Sequence, residues 1–141
     1  MGTVPIMLNR QDVDWLGIDH ERSAIDDAQH NAQHLGERYA FRVGDGEHWL
    51  RKLVGRVDYS VLILHAMRMP FGLRFMKLAR TMQPRRLIYI APNPTALFKD
   101  AAHLNDYALD EVVLLDHTPG SGHYLTVAVL SQSLKADSIR A

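Results

Sequence analysis

The sequence predicts an α/β fold, because short apolar runs alternate with segments of helical periodicity along the chain. One run, Tyr59–Leu64, is continuously apolar, which is typical of a strand buried on both faces. The last two predicted strands are joined by Asp116–His123, a segment with no helical pattern, so we expect these strands to be antiparallel. The predicted sheet is therefore mostly parallel with an antiparallel last strand.

Four elements are predicted in the first half of the chain. Trp15–Asp19 reads as a strand, and the following helix, from about Glu21 to Leu35, repeats apolar residues at helical spacing before Gly36 ends it. A second strand and a short helix follow over Tyr39–Val43 and Glu47–Val54.

The second half repeats the alternation after the Tyr59–Leu64 strand. Gly72–Met82 is predicted to be helical, with Leu73, Met76 and Ala79 available for packing. The remaining predictions are a strand over Arg86–Ile90, a helix over Thr95–Asn105, and strands over Glu111–Leu115 and Tyr124–Leu130.

The length of 141 residues, 47% of them apolar, predicts one domain over residues 1–141. Within it, residues 1–14 form an N-terminal extension and residues 131–141 a loosely held tail. The chain has no cysteine, which excludes disulfides and a thiol nucleophile. No apolar run is long enough for a signal peptide or a membrane span, so we expect a cytoplasmic protein.

Charge is balanced overall but is unevenly distributed. Sixteen basic residues match sixteen acidic ones, so net charge gives no argument for binding to nucleic acid or a membrane. Residues 59–99, however, contain no Asp or Glu. Their seven basic residues are Arg68, Arg74, Lys77, Arg80, Arg85, Arg86 and Lys99.

The segment Ile90–Asp100 carries the most informative motif: Ile-Ala-Pro-Asn-Pro-Thr-Ala-Leu-Phe-Lys-Asp. It resembles the active-site segment of the S-adenosylmethionine-dependent RNA 5-methyluridine (uracil-5-) methyltransferases, where a strand ends in Ser-Cys-Asn-Pro and a helix carries Thr-Leu and Arg-Asp. The resemblance implies a truncated Rossmann-like class I methyltransferase domain, corresponding to the C-terminal part of that family's catalytic domain.

Further segments match the same family in the same order. Leu16–Asp19 resembles the strand whose terminal acidic residue binds the cofactor ribose, and Gly44-Asp45 the turn whose Asp lies near the adenine. Arg68 fits the Arg of the family's Asp-Pro-Pro-Arg loop. His117–Pro119 resembles the family's His-Thr-Pro motif. His123–Ala128 resembles its His-Val-Glu-Thr-Val-Ala motif.

The departures from the family fall on its reacting groups. Family members add a cysteine thiolate to C6 of uracil and later remove the C5 proton with a base. The nucleophile position here is Pro92, and the base position is Leu125. The resemblance therefore implies that no catalytic residue of this mechanism is retained.

The family's first strand and Gly-rich turn have no counterpart before Trp15. That strand normally lies between the strands that correspond to Trp15–Asp19 and Tyr59–Leu64, so its loss would leave a gap in the sheet. Three ways to fill the gap are open: the Val4–Leu8 segment inserted antiparallel, direct pairing of the flanking strands, or a strand from a second chain. We therefore expect a homodimer or a larger complex.

Asp19 and Asp45 are the candidate cofactor-binding residues, although each fits equally well as a turn or helix-capping residue. We expect no bound cofactor, with S-adenosylmethionine as the alternative. His30 and His34 are spaced for one helix face, but no third metal ligand is evident, so we expect no metal.

The basic section is the candidate RNA-binding surface, because phosphate contacts need charge rather than base recognition. Its residues are Arg68, Arg74, Lys77, Arg80, Arg85 and Arg86; the competing interpretation is an ordinary solvated helix face. The sequence thus predicts a catalytically inactive methyltransferase-like protein that acts as a binding or structural subunit. The alternative is an active S-adenosylmethionine-dependent methyltransferase that works without covalent catalysis, or with a partner that supplies the missing half.

Overall fold

The computed structural model of the chain describes residues 13–33, 39–56, 58–67, 69–116, 118–121 and 124–133. The chain divides into two compact units, Met1–Lys52 and Leu53–Ala141, and each is described by itself.

The first unit is built on a parallel pair of strands. Strand β1 (Trp15–Asp19) pairs in parallel with β2 (Tyr39–Val43), and helices α1 (Arg22–Ala32) and α2 (Gly46–Leu53) follow them in the chain. Ile25, Ala28 and Ala32 of α1 occur at helical spacing and form the core with Tyr39 and Phe41 of β2. Gly17 permits close packing, because a Cβ there would lie 2.8 Å from Cδ1 of Phe41.

The second unit contains a four-stranded mixed sheet in the order β3-β4-β6-β5. β3 (Val61–His65) and β4 (Arg86–Ala91) are parallel, whereas β6 (Leu125–Gln132) lies antiparallel between β4 and β5 (Tyr107–Leu115). Helix α3 (Leu73–Thr81) connects β3 to β4, and helix α4 (Pro94–Ala101) connects β4 to β5.

One face of this sheet is buried along its two central strands, β4 and β6. Along β4 and β6 the residues that point to this face are at most 2% exposed, and α4 packs against both strands. Phe71, just before α3, contacts the Tyr89 ring edge-on at 6.0 Å between centroids, so this segment covers the same face. We call it the covered face; its residues are Leu87, Tyr89, Ala91, Thr126, Ala128 and Leu130.

A buried carboxylate joins the elements on the covered face. Asp100 of α4 is 0% exposed and accepts hydrogen bonds from the backbone N–H groups of Phe71 (2.7 Å) and Gly72 (2.8 Å) and from the Tyr89 hydroxyl (2.5 Å). Burial, followed by this hydrogen bond and the charge of Asp100, raises the pKa of Tyr89 well above its usual value. The phenol therefore remains a donor throughout the range in which proteins fold.

Asp100 also holds the two residues that lead into α3. Gly72, the N-cap of α3, has φ of 83°, a left-handed conformation that favours glycine, and it has no side chain with which to cap the helix. The carboxylate of Asp100, from another helix, accepts from the N–H groups of Phe71 and Gly72 just before the first turn, where negative charge is also favoured by the helix dipole.

The predicted α/β class and the antiparallel last pair are confirmed. The sheet is mixed, since both of the last strand's pairings are antiparallel. β5 begins four residues before the predicted start because a bulge at Asp110 accommodates the charged pair Asp110-Glu111. The predicted loose tail begins too early: Ser131 and Gln132 belong to β6, and Ser133 N donates to Asp106 O at 2.7 Å.

Two helices end three or four residues earlier than predicted. α1 ends at Ala32 rather than Leu35, and α4 ends at Ala101 rather than Asn105, where a hydrogen-bonded turn leads into β5. Gly36 and the segment Val4–Leu8 lie outside the described residues, as do Arg68, His117 and His123.

The Asp100 cluster predicts graded losses of stability. Asp100→Ala leaves two backbone donors and a hydroxyl without their acceptor, and we expect it to lower the free energy of unfolding by about 3 kcal/mol or more. Tyr89→Phe removes one donor and leaves both backbone bonds, so we expect a loss of about 1–2 kcal/mol. Urea unfolding followed by circular dichroism measures both. Equal losses in the two variants would contradict a role for Asp100 at the start of α3.

Candidate functional site

Strand ends meet at one edge of the sheet in the second unit. β3 and β4 both end there, where His65 pairs with Ile90 and Ala66 N donates to Ile90 O at 2.8 Å. β6 begins at the same edge, because Thr126 pairs with Ala91. The carboxyl edge of a parallel sheet is where α/β proteins usually bind their ligands, so this is the first candidate site.

Pro92 and Leu125 flank the Ala91–Thr126 pair at this edge. Pro92 directly follows the last residue of β4, and Leu125 is the first residue of β6. Both side chains are hydrocarbon, and neither can attack a carbon centre or accept a proton. The structure thus brings together two positions that the sequence analysis connected only through the family resemblance.

Asn93 and Pro94 start helix α4. Asn93 has extended backbone angles and its Oδ1 accepts from Ala96 N at 3.1 Å, while Pro94 occupies the first turn, where its missing N–H is not needed. The Asn93 carbonyl oxygen is therefore engaged as a helix cap. Asn93 therefore has a structural role at the start of this helix.

Thr126 is a polar residue at this edge that the sequence analysis did not single out. Its side chain is 0% exposed, and its hydroxyl has no hydrogen-bond partner within the part of the chain that the structure describes. A buried hydroxyl without a partner costs free energy. Thr126 faces α4 together with Ala128 and Leu130, so its hydroxyl lies on the covered face.

Asp100 and Tyr89 were also missed as a pair. The available signal was position: Asp100 follows Ala96 and Leu97 by four and three residues, which places its carboxylate on the buried stripe of α4. An acidic residue on such a stripe indicates a partner inside the fold. The partner itself, Tyr89, could not be identified from spacing.

A second edge with two carboxylates lies in the first unit. Asp19 is the last residue of β1 and pairs with Val43, the last residue of β2; Gly44 and Asp45 follow. Gly44 N donates to Asp19 O at 2.9 Å, which holds the two strand ends together. The structure therefore places both predicted cofactor-binding residues at the carboxyl edge of one parallel pair.

Each of these carboxylates also has a local role. Asp19 Oδ1 accepts from Glu21 N at 2.9 Å and closes the turn into α1. Asp45 Oδ1 accepts from His48 N at 2.9 Å, the N-cap geometry for α2. Gly44 between them has φ of 149°, and a Cβ there would lie 2.6 Å from Nε1 of Trp49, whose ring closes this end of the strands. Each carboxylate has a second oxygen with which to accept from a ligand hydroxyl.

The basic residues of the predicted RNA surface fall into two groups. Arg74 and Lys77 are exposed on α3, three residues apart and hence on one side of the helix. Arg85 and Arg86 are exposed at the start of β4, at the end of that strand opposite to Pro92.

Arg80 forms an ion pair with a residue outside the basic section. Its Nε donates to Asp106 Oδ2 at 2.8 Å, and its side chain is 39% exposed, so an acidic residue from outside the basic section offsets its charge. Arg80 was predicted to lie on a purely basic surface because Asp106 is distant in sequence. Lys77 is exposed. Its backbone carbonyl accepts a hydrogen bond from the Thr81 hydroxyl at 2.8 Å, a contact that does not involve the ammonium group.

Within the described ranges, no group of three His, Cys, Asp or Glu side chains is arranged to hold a metal ion; His34 lies outside those ranges. No helix in the described part of the chain is both long and apolar enough to span a membrane.

Sequence comparison finds RNA methyltransferases. The chain is 31% identical over 137 residues to an uncharacterized RNA methyltransferase of Thermosynechococcus vestitus, with 94% of this chain and 30% of that protein aligned. It is 28% identical over 121 residues to the 23S rRNA (uracil(747)-C(5))-methyltransferase of Shewanella oneidensis, covering 85% of this chain and 31% of that protein. The chain thus spans less than a third of these relatives. No protein-family profile matches it.

Structure comparison agrees with the sequence result. The tRNA (uracil-54, C5)-methyltransferase of Pyrococcus abyssi, solved with S-adenosyl-L-homocysteine, superposes with a TM-score of 0.76 at 26% identity over 92% of this chain and 31% of that one. M. capricolum TrmK, also solved with S-adenosyl-homocysteine, gives a TM-score of 0.63 at 11% identity, which shows the fold alone. The fold is that of a Rossmann-like class I methyltransferase domain.

The N-cap geometry of Asp45 predicts which substitutions are tolerated. Asp45→Ala removes the acceptor of the His48 N–H, and we expect a loss of about 1 kcal/mol in the free energy of unfolding. Asp45→Ser keeps a capping oxygen and removes the carboxylate, so its stability should lie within about 0.5 kcal/mol of the parent. Urea unfolding of the parent and the two variants measures these free energies. An Asp45→Ser protein as unstable as Asp45→Ala would show that the charge, not the cap, stabilises this turn.

Proposed function

Because the homologues of this chain are RNA uracil-5-methyltransferases, we propose that it is a catalytically inactive methyltransferase-like protein that serves as a binding or structural subunit and contacts RNA. One observation carries the proposal. Pro92 and Leu125, which match the family's nucleophile and base positions, flank one strand pair at the sheet edge, and both are hydrocarbon.

The chemistry of the covalent mechanism explains why these two positions matter most. Uracil C5 is a poor nucleophile until a thiolate adds to C6, and the enzyme is released only after a base removes the C5 proton. The chain has no cysteine to replace the nucleophile. Substitution of both groups therefore removes the first and the last step of the reaction, whereas the strands and helices that would position them remain.

The exposed basic residues support contact with RNA. Arg74 and Lys77 on α3 and Arg85 and Arg86 before and on β4 belong to a stretch without acidic residues, and phosphates bind to charge without base recognition. Arg80, paired with Asp106, contributes less to this surface than its sequence position suggests. We propose Arg74, Lys77, Arg85 and Arg86 as the phosphate contacts.

A partner chain is part of the same proposal. The described strands belong to two sheets, β1-β2 and β3-β4-β6-β5, and in the family the Gly-rich strand lies between the strands that correspond to β1 and β3. A strand contributed by a homodimer or a larger complex would satisfy the backbone groups there. The expected cytoplasmic location fits such a ribonucleoprotein role and remains a prediction.

The second candidate is a methyltransferase that still binds S-adenosylmethionine. The observation that favours it is the placement of Asp19 and Asp45 at one strand edge, where their second carboxylate oxygens fit the hydroxyl donors of an adenosine. The cofactor, when bound, would supply the methyl group. Within this chain Asp19 would orient the ribose and Asp45 would lie near the adenine. A substrate that is already nucleophilic, or a partner chain, would have to replace the missing thiolate and base.

Two measurements on one preparation separate these candidates. Transfer of tritiated methyl groups from S-adenosylmethionine to uridine-containing RNA should be undetectable; incorporation at uracil C5 would overturn the inactive subunit. Calorimetric titration with S-adenosyl-L-homocysteine distinguishes the second candidate, because micromolar binding that is lost in Asp19→Ala would favour a retained cofactor site. Asp45→Ser, which preserves the helix cap, serves as the second probe of that site.

The proposed phosphate contacts predict a change in salt dependence. Arg74→Glu combined with Lys77→Glu should weaken binding of a fluorescein-labelled single-stranded RNA and reduce the slope of log K against log salt by about 1 per residue. Arg22→Glu is the matched control, since it reverses an equally exposed arginine at the start of α1, where an acidic residue is tolerated. Fluorescence anisotropy between low and moderate salt gives the slopes. Equal slopes for the parent, the control and the double variant would exclude α3 as an RNA contact.

A further inference from the structure

The sheet of the second unit has a second face, opposite to the covered face. Residues that alternate with the covered positions point to it, and all four strands contribute. We call it the open face. One of its aliphatic side chains, Ile90, is buried at 9% exposure. Others are half-buried or exposed: Ile63, Ile88, Val113, Leu115, Val127 and Val129.

The two faces differ in what packs on them. On the covered face, β4 and β6 are at most 2% exposed beneath α4 and the segment before α3. On the open face, the residues of the same two strands are only half-buried, as at Ile88, Val127 and Val129. The edge strand β5 is exposed on both faces: Val113 is 37% exposed on the open face and Val112 is 42% exposed on the covered face. A contiguous apolar surface across four strands is unusual on an isolated chain and indicates an interaction site.

We propose that the open face is the contact surface of a homodimer, in which the sheets of two copies pack face to face. The argument for a second copy is self-complementary charge. Arg86 of β4 and Glu111 of β5 alternate with covered positions, so both lie at the rim of the open face, on opposite halves of the sheet. One face thus carries both signs of charge around an aliphatic centre.

A two-fold axis parallel to the strands brings these charges together. It exchanges the β3 side of one sheet with the β5 side of the other, so Glu111 of the second copy lies above β3, one strand from Arg86. The pairings place Glu111 in the row of Ile88, two residues beyond Arg86. Measured in the plane of the sheets, Arg86 of one copy and Glu111 of the other are about 5 Å apart across the strands and about 7 Å apart along them. At the roughly 10 Å spacing of packed sheets, an arginine side chain can span this separation.

The size of the face predicts how tight the dimer is. Four strands at about 4.8 Å and five residues at about 3.3 Å give a projected area of about 300 Å² per copy. The accessible surface of the face is larger than this flat projection, because side chains protrude from it, but it still lies below the roughly 800 Å² that each partner of a standard interface buries. We therefore expect a reversible dimer with a dissociation constant in the micromolar range, not a permanent one.

Sedimentation equilibrium over a range of micromolar concentrations tests the proposal with a pair of matched variants. Val113→Lys places an ammonium on the open face and should yield a monomer at concentrations where the parent is mostly dimeric. Val112→Lys is its control: the neighbouring valine is 42% exposed on the same strand but points away from the open face, so dimerisation should persist. Both positions are exposed, so neither lysine should unfold the chain.

Charge reversal supplies a second test that does not insert charge into the apolar centre. Glu111→Arg should weaken the dimer several-fold, and adding Arg86→Glu should restore it, because the pair is re-formed with opposite polarity. Circular dichroism of each variant establishes that it is folded.

Three outcomes would overturn the proposal. A monomeric parent at high micromolar concentration would exclude the second copy and leave a partner of different sequence as the occupant of the face. Loss of the dimer in both lysine variants would indicate edge-to-edge pairing of β5 instead. A dimer that persists in both lysine variants would show that the contact lies elsewhere on the protein. Arg86 also belongs to the proposed RNA surface, but sedimentation is measured without RNA or cofactor, so failure of either proposed function leaves this measurement unaffected.

Discussion

The buried carboxylate of Asp100 is the interaction on which the second unit depends. It binds two amides at the start of α3 and the hydroxyl of Tyr89 on β4, and it belongs to α4, so three separate elements converge on one side chain. A charge inside a protein is tolerated only when its hydrogen-bonding capacity is filled. The same bonds hold the segment that leads from β3 into α3 against the covered face.

Much of the fold could be predicted because it follows from periodicity. The parallel strand pairs and their helices have apolar patterns that match their burial, as in Ile25, Ala28 and Ala32 of α1. β5 was placed too late because Asp110-Glu111 interrupts its apolar run, and a bulge, which no pattern reveals, accommodates the interruption. The end of α4 was misplaced because the residues after Ala101 keep helical composition while forming a turn.

The candidate site was predictable only in part, for a related reason. Local motifs located Pro92, Leu125, Asp19 and Asp45, and the register of the strands then placed each pair at a strand edge. Contacts between distant segments were not predictable. The ion pair of Arg80 with Asp106 and the bond of Tyr89 with Asp100 join residues 26 and 11 positions apart. Sequence spacing carries no information on such partners once the chain has turned back on itself.

The cap at Asn93 has a consequence for how such a protein can arise. Asn93 fixes the start of α4 through its own side chain, and Asp100 fixes the other end of the same helix, so neither anchor uses the side chain at position 92 or at position 125. Folding and chemistry are therefore encoded by different residues of one short segment. A lineage that lost the need for the reaction could change the two reacting groups without selecting against its own stability. The fold is then available for another function, and residues that no longer take part in any reaction still show its ancestry.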